Sequence, residues 1–292
     1  MATISASAVK DLREKTGAGM MDAKKALEEA GGDFEKAVDI LRTKGLSAAA
    51  KKASRIAAEG VISSAQHGAV GVIVEVNSET DFVAKNEEFQ KFARAIAEVI
   101  ASQNPPDVAA LSQLAIGGEQ IEAKRQALIQ KIGENLSIRR FTRYQTDGRI
   151  AIYLHGNRIG VMVEYSGGDE QIGKDIAMHI AAANPPYLSR ETVPADALAR
   201  ERAVCEAQAK ESGKPAAVIG KIVDGKVEKF YSDMCLMDQI YIKDPEGKQR
   251  IKEFLKKSGG TIEIKRYVRY QLGEGIEKKK ENFAEEVAAQ LK

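Results

Sequence analysis

Apolar and polar residues change their period several times along this chain, and each change marks a unit. Over the first 45 residues the apolar positions recur at helical spacing. The pattern predicts a helix over 5–15, with Ser5 or Ser7 as cap and Val9 and Leu12 on its apolar side. "TGAG" breaks it. "MMDAKKALEEA" then places Met21, Ala23, Lys24 and Leu27 near one face of a second helix. "GGD" ends that helix, and Asp33 caps a third, "FEKAVDILRTKG", with Gly45 as its expected stop. Three helices of this size bury little area, so the module is marginal alone. The Ala- and Lys-rich "LSAAAKKASRIAAEG" predicts a helical connector.

The period then drops to two, and a repeat appears. "HGAVGVIVEVN" (67–77) matches "HGNRIGVMVEYS" (155–166). Each follows a strand pattern, "GVISSAQ" or "RIAIYL", so each predicts a β-hairpin. Each precedes a helix pattern ending in Asn-Pro-Pro, where proline cannot continue a helix. Aligned on hairpin and Asn-Pro-Pro, the first copy is longer by about nine residues. The surplus falls in "SETDFVAKNEE", where the second copy has only "GGDEQ". A fold that closes without this segment does not need it for closure. Asp81-Phe82 is therefore a candidate probe for another molecule as well as a candidate first core contact of the next helix.

"SIRRFTRYQ" (137–145) and "EIKRYVRYQ" (263–271) echo each other as half-buried strands, and the second can close the second sheet from a distance. Their basic–aromatic alternation also raises an RNA-binding reading. Between them, around "SGKP", two helical runs predict a protruding αα-hairpin. Val218, Ile219, Ile222, Val223, Val227 and Phe230 form an apolar stripe on it, for packing on its partner helix or for self-association. "GEGIEKKKENFAEEVAAQL" predicts a terminal helix.

Composition narrows the classes. The chain has 292 residues, 43% hydrophobic and 29% charged, with a net charge of +2, which argues against a nucleic-acid platform. No apolar run has the length of a membrane span, and the N-terminus lacks a secretory pattern. The two cysteines, Cys205 and Cys235, lack metal-ligand spacing, and a reduced cytoplasmic setting is expected. His67, His155 and His179 are scattered, two of them in equivalent hairpin turns. No phosphate loop, zinc motif or nucleophile elbow is present, so no metal, cofactor or catalytic residue is assigned and an enzyme is the weaker class.

Two long motifs, "TGAGMMDAKKALEEAGGDFEKAVDILRTKG" (16–45) and "ETDFVAKNEEF" (79–89), closely resemble the bacterial translation elongation factor Ts family. "KIGENLSIRR", "HGNRIGV", "IAMHIAA" and "GEGIEK" are similar to that family in the same order. The resemblance implies an α+β protein: a three-helix, ubiquitin-associated-like domain (1–46), a connector (47–60), and a core of two duplicated antiparallel-sheet-plus-helix subdomains (61–140; 141–186 with 236–272). It further implies a helical-hairpin dimerisation module (187–235) and a C-terminal module (273–292).

The implied function is guanine-nucleotide exchange on the GTPase elongation factor Tu, without membrane or direct nucleic-acid partners, and with self-dimerisation giving a two-plus-two complex. Thr80, Asp81, Phe82 and Val83 match the stretch that dislodges the GTPase's magnesium ion. Leu12, Arg13, Met20, Met21 and Lys24 fall on the module that touches the nucleotide domain, and Ile132, Gly133 and His155 match core contacts. The competing classes are an RNA-binding ribosome accessory protein, a ubiquitin-fold-binding adaptor, and an enzyme whose site is assembled from scattered residues.

Overall fold

The structure is a computed structural model; it describes residues 4–277 except 17, 212–214 and 260. The expected terminal helix lies largely outside the described residues.

The chain opens with α1 (Ala6–Thr16), α2 (Met20–Glu29) and α3 (Phe34–Lys52). Ser5 caps α1 by accepting the Ala8 N–H at 3.1 Å, and Asp33 caps α3 by accepting that of Lys36 at 3.0 Å. Val9, Leu12, Ala23, Ala26, Leu27, Ala37 and Leu41 close a small core between the three helices. Gly45 does not stop α3. The alanine-rich run behind it is a strong helix former and carries the helix on to Lys52. Gly45 instead permits a close approach to a later helix: a Cβ there would lie 2.9 Å from the Gln130 side-chain oxygen.

The repeat follows. β1 (Glu59–His67), β2 (Val70–Ser78), the single turn α4 (Asp81–Ala84) and α5 (Glu87–Gln103) form the first copy. After it come α6 (Val108–Gln113), the short pair β3 (Ala115–Ile116) and β4 (Glu119–Gln120), α7 (Ile121–Ile132) and β5 (Ser137–Gln145). The second copy is β6 (Arg149–His155), β7 (Ile159–Ser166) and α8 (Glu170–Ala183). The chain goes on through α9 (Ala195–Glu211), α10 (Ala216–Met234), α11 (Ile251–Lys257) and β8 (Glu263–Gln271). The sheets are antiparallel, in the orders β1-β2-β5 and β6-β7-β8.

The copies agree down to single residues. α5 and α8 both end on a left-handed asparagine, Asn104 (φ 49°) and Asn184 (φ 47°), each followed by the proline that forbids continuation. Both central strands bulge just after a buried glutamate, Glu75 and Glu164. β8 closes the second sheet as its sequence echo suggested. β5 belongs whole to the first sheet, so the seam between subdomains falls after Gln145, beyond the boundary expected at residue 140.

Alternation on the central strands builds four layers, helix–sheet–sheet–helix. Val72, Val74 and Val76 face α5, while Val161, Val163 and Tyr165 face α8. The opposite faces meet each other through Ile62, Ile73 and Tyr144 of the first sheet and Ile150, Met162 and Tyr270 of the second. Two glycines let the sheets approach: a Cβ on Gly71 would sit 2.7 Å from Ile150, and one on Gly160 would sit 2.6 Å from Ile62. Alternate residues of the basic–aromatic strands enter this seam, while Arg143 and Arg269 turn to carbonyls at the ends of the helices. Arg140 stacks over Tyr270 at 4.3 Å and Arg266 over Tyr144 at 4.1 Å, each reaching across to the other sheet. The same arginines pair with the buried glutamates, Arg140 with Glu75 at 2.7 Å and Arg266 with Glu164 at 2.6 Å.

On the αα-hairpin, Val223 and Val227 are buried against Cys205 and Ala209, with Ile219 and Ile222 packed beside them. Most of the apolar stripe is thus spent on the partner helix within one chain. Val204 and Val218 remain exposed.

If the two sheets meet at this distance, Gly160→Ala must overpack the seam. Its cost should be about 1–3 kcal/mol, read as a lower midpoint in urea. An unchanged midpoint would contradict the packing described.

Candidate functional site

The first-copy surplus forms a built turn. β2 ends at Ser78, and the Thr80 hydroxyl caps α4 by accepting the Val83 N–H at 3.4 Å. A single helical turn then sends consecutive side chains to different faces. Val83 is buried in the core under α5. Phe82 points out, 79% exposed. Lys85 folds back at the end of the turn, 2.7 Å from the Asp81 carboxylate and 5.8 Å from the Phe82 ring centroid. That hydrogen bond, with the charge of Arg158 nearby, holds the Asp81 carboxyl below its ordinary range. Asn86 restarts the helix as the cap of α5, accepting the N–H groups of Glu88 and Phe89.

The turn is anchored from behind by a second loop. Glu134, just after α7, accepts hydrogen bonds from the backbone N–H of Glu79 (3.1 Å) and Thr80 (3.0 Å) and from the Thr80 hydroxyl (2.6 Å). Glu79 returns the bond, accepting the Asn135 N–H at 2.5 Å. Asn135 in turn donates to the Arg55 carbonyl at 2.8 Å, and the Arg55 guanidinium lies 3.5 Å from Glu79. The stretch leading from the N-terminal module, the Phe82 turn and the end of α7 therefore meet at one polar node. Ile132 is half-buried against the first core, and Gly133 caps α7 in the left-handed region (φ 89°). The backbone N–H of Gly133 bonds the Ile129 carbonyl.

The hairpin of the second copy reaches the same edge. Arg158 pairs with Glu59 at 2.8 Å, and Glu59 lies opposite Ser78 in the β1–β2 ladder. The Asn157 carbonyl accepts the Ile62 N–H at 2.8 Å. His155 is exposed in that hairpin, its Nδ1 3.2 Å from the Tyr153 hydroxyl. The edge thus gathers Thr80, Asp81, Phe82, Ile132 and Gly133, with the hairpin that carries His155 beside them.

The N-terminal residues sit on a separate module. Met20 and Met21 are exposed, 53% and 63%, at the start of α2. Arg13 and Lys24 are exposed as well, with the Lys24 Nζ 3.9 Å from Glu28. Two expected placements change. Leu12 is fully buried in the three-helix core, which leaves it a packing role inside the module. The inward face of α2 is Ala23, Ala26 and Leu27, while Met21 and Lys24 point to solvent. His179 is buried, its Nε2 2.9 Å from the Gln239 side-chain oxygen and its Nδ1 accepting the Ile242 N–H. Burial lowers its pKa.

Glu79, Glu134, Arg55 and Arg158 were not singled out from the sequence. The two glutamates lie far apart in the chain, and each reads there as an ordinary loop acid. Among the described residues, no group of three or more His, Cys, Asp and Glu side chains is placed to hold a metal ion. Among them too, no helix is long and apolar enough to cross a membrane.

Fold and site together define an internally duplicated α+β protein that presents one short polar turn around an exposed phenylalanine. The sequence profile described as Elongation factor TS matches residues 79–274. The Elongation factor Ts of Paraburkholderia xenovorans (strain LB400) is 52% identical over 291 residues, covering 100% of this chain and 98% of that protein. Those of Burkholderia multivorans (strain ATCC 17616 / 249) and Burkholderia ambifaria (strain MC40-6) are 52% and 53% identical, with the same coverage. The chain belongs to the elongation factor Ts family and is a translation elongation factor.

Neighbouring residues of the turn should behave oppositely on truncation. Phe82→Ala should move stability by no more than about 0.5 kcal/mol, because the ring packs on little of its own protein. Val83→Ala should cost about 2 kcal/mol through lost burial and the cavity left behind. Equal losses in urea denaturation would make Phe82 a core residue.

Proposed function

We propose that this chain is the guanine-nucleotide exchange factor for the GTPase elongation factor Tu. It binds the GDP form, displaces Mg²⁺ and releases GDP so that GTP can bind. The observation that carries the reading is Phe82, 79% exposed on a single helical turn whose backbone is fixed on both sides. Phe82 is the most exposed of the large apolar side chains among the described residues, and an anchored turn that holds such a ring in water offers contact area to a partner. Met20 and Met21 provide a second contact, with side chains that adapt to a surface changing shape.

The physics follows from linkage. GDP is held through its phosphates and the Mg²⁺ that neutralises them. A protein that binds the GTPase and disturbs that site weakens the nucleotide, and the nucleotide weakens the protein by the same factor. Asp81 and Phe82 act together: Phe82 supplies desolvated area, and Asp81 a charge beside the ion's surroundings. No bond of the nucleotide is made or broken, so the protein is a binding factor and not an enzyme in the covalent sense.

The RNA reading is weakened because two of the strand arginines, Arg140 and Arg266, are paired with buried glutamates and stacked on tyrosines. For self-association, the exposed Val204 and Val218 are the apolar residues a second copy would meet.

The test is stopped-flow release of a fluorescent GDP from elongation factor Tu. Wild type should accelerate release strongly. The Asp81→Ala, Phe82→Ala double variant should lose most of the acceleration while its thermal midpoint stays within a few degrees. A double variant that exchanges as well as wild type would refute the assignment.

A further inference from the structure

We infer that Glu134 is the positioning residue of the Phe82 turn, joining the end of α7 to the tip so that the two engage a partner as one rigid unit. The inference rests on the exchange function proposed above.

The geometry is specific. One carboxylate accepts three hydrogen bonds, all from the two residues that enter α4. Two of the donors are backbone N–H groups, so they fix the direction of the chain and not merely a side chain. The third is the Thr80 hydroxyl, whose oxygen also accepts the Val83 N–H and so caps the turn. Glu134 therefore orients the cap that orients the turn. The Glu79 carboxylate bonds the Asn135 N–H in exchange, which doubles the link between the same two loops. Bonds of N–H and O–H donors to a carboxylate are stronger than neutral ones.

The second copy clarifies the purpose. There the strand passes to the helix through three residues, 167–169, and Asp169 caps α8 by itself. The first copy spans 79–86 and needs an outside anchor because it departs from the sheet to carry Phe82. Val83 fastens the far side of the turn to the core, and Glu134 fastens the near side. Ile132 and Gly133, matched to partner contacts, stand directly before Glu134 in the chain. Displacement at 132–133 thus reaches Thr80 through the Glu134 carboxylate, which accepts both the Thr80 N–H and the Thr80 hydroxyl. A tip held in this way spends little of its contact energy on becoming ordered, which is the advantage of preorganisation.

The experiment compares Glu134→Ala and Glu134→Gln in the wild-type and Asp81→Ala, Phe82→Ala backgrounds. Saturation curves separate half-saturating concentration from maximal acceleration of GDP release. In the wild-type background Glu134→Ala should lower maximal acceleration about tenfold, with half-saturation changed less than about threefold. In the tip-less background it should change neither by more than about twofold, since positioning has no object once the tip is gone. Glu134→Gln keeps an acceptor for the two N–H groups and should recover to within about threefold of wild type. Amide hydrogen exchange gives a readout without the partner: the Glu79 and Thr80 amides should exchange at least about tenfold faster in Glu134→Ala, while the amides of α8 stay unchanged.

Equal loss in both backgrounds would mark Glu134 as a general structural residue and overturn the inference, as would unchanged amide exchange at Glu79 and Thr80. If Glu134→Ala does not fold, Thr80→Val replaces it. Losing the hydroxyl removes the 2.6 Å bond to Glu134 together with the cap bond from the Val83 N–H, and should cut maximal acceleration about threefold, only where the tip is intact. Failure of the wild-type protein to accelerate GDP release would instead refute the exchange function itself.

Discussion

Two sheets packed back to back, at a distance only glycine allows, are the constraint on which the molecule depends. Gly71 and Gly160 occupy matching places in the two central strands, and each lies under side chains of the opposite sheet. The approach brings Tyr270 under Arg140 and Tyr144 under Arg266. It also encloses Glu75 completely. Burial favours its protonated form, but the Gly273 N–H, Arg140, Arg139 and Asn77 more than offset this and hold its pKa below the ordinary value. Such a carboxylate is worth keeping only while all its donors stay in place. The seam therefore fixes the register of the two copies and, with it, the position of the 155–158 hairpin beside β1.

That placement allows the first copy to carry an addition. The duplicated core closes in the second copy with a minimal strand-to-helix link, so the longer link of the first has room for residues beyond Val83, which packs into the core. They are nevertheless not loose. Thr80 and Asn86 cap the helical turns at either end, Val83 reaches into the core, and Glu134 holds the entry. The outcome is an aromatic side chain in water on a backbone with little freedom, which suits an instrument applied to a partner better than a loop that must fold onto one. The methionines of α2 are different: exposed on a small module, they offer area without a comparable anchor.

Much of this was legible in the sequence because it was local or repeated. The period-two runs, the His-Gly turns and the Asn-Pro-Pro stops each act over a few residues, and duplication stated them twice. Comparing the copies singled out Phe82 before any coordinate. What escaped depends on distant partners. Gly45 reads as a stop until the Gln130 side chain occupies the space a Cβ would need. Met21 and Ala23 both fit a helical stripe, and only the bundle's geometry decides that alanine faces in. The basic strands look like a surface for RNA until Arg140 and Arg266 pair with buried glutamates of their own sheets and stack on tyrosines of the other. Glu79 and Glu134, 55 residues apart, become a clamp only in three dimensions.

The central claim is that the Phe82 turn works on the partner's metal site, and magnesium itself tests it most directly. Release of labelled GDP from elongation factor Tu is followed with and without this protein, in millimolar Mg²⁺ and in excess chelator. If displacing the ion is the main action, release without the protein is already fast in chelator, and the added acceleration there is clearly smaller than in Mg²⁺. The same acceleration in both conditions would contradict the account and move the action of the turn to the phosphate or base contacts of the nucleotide.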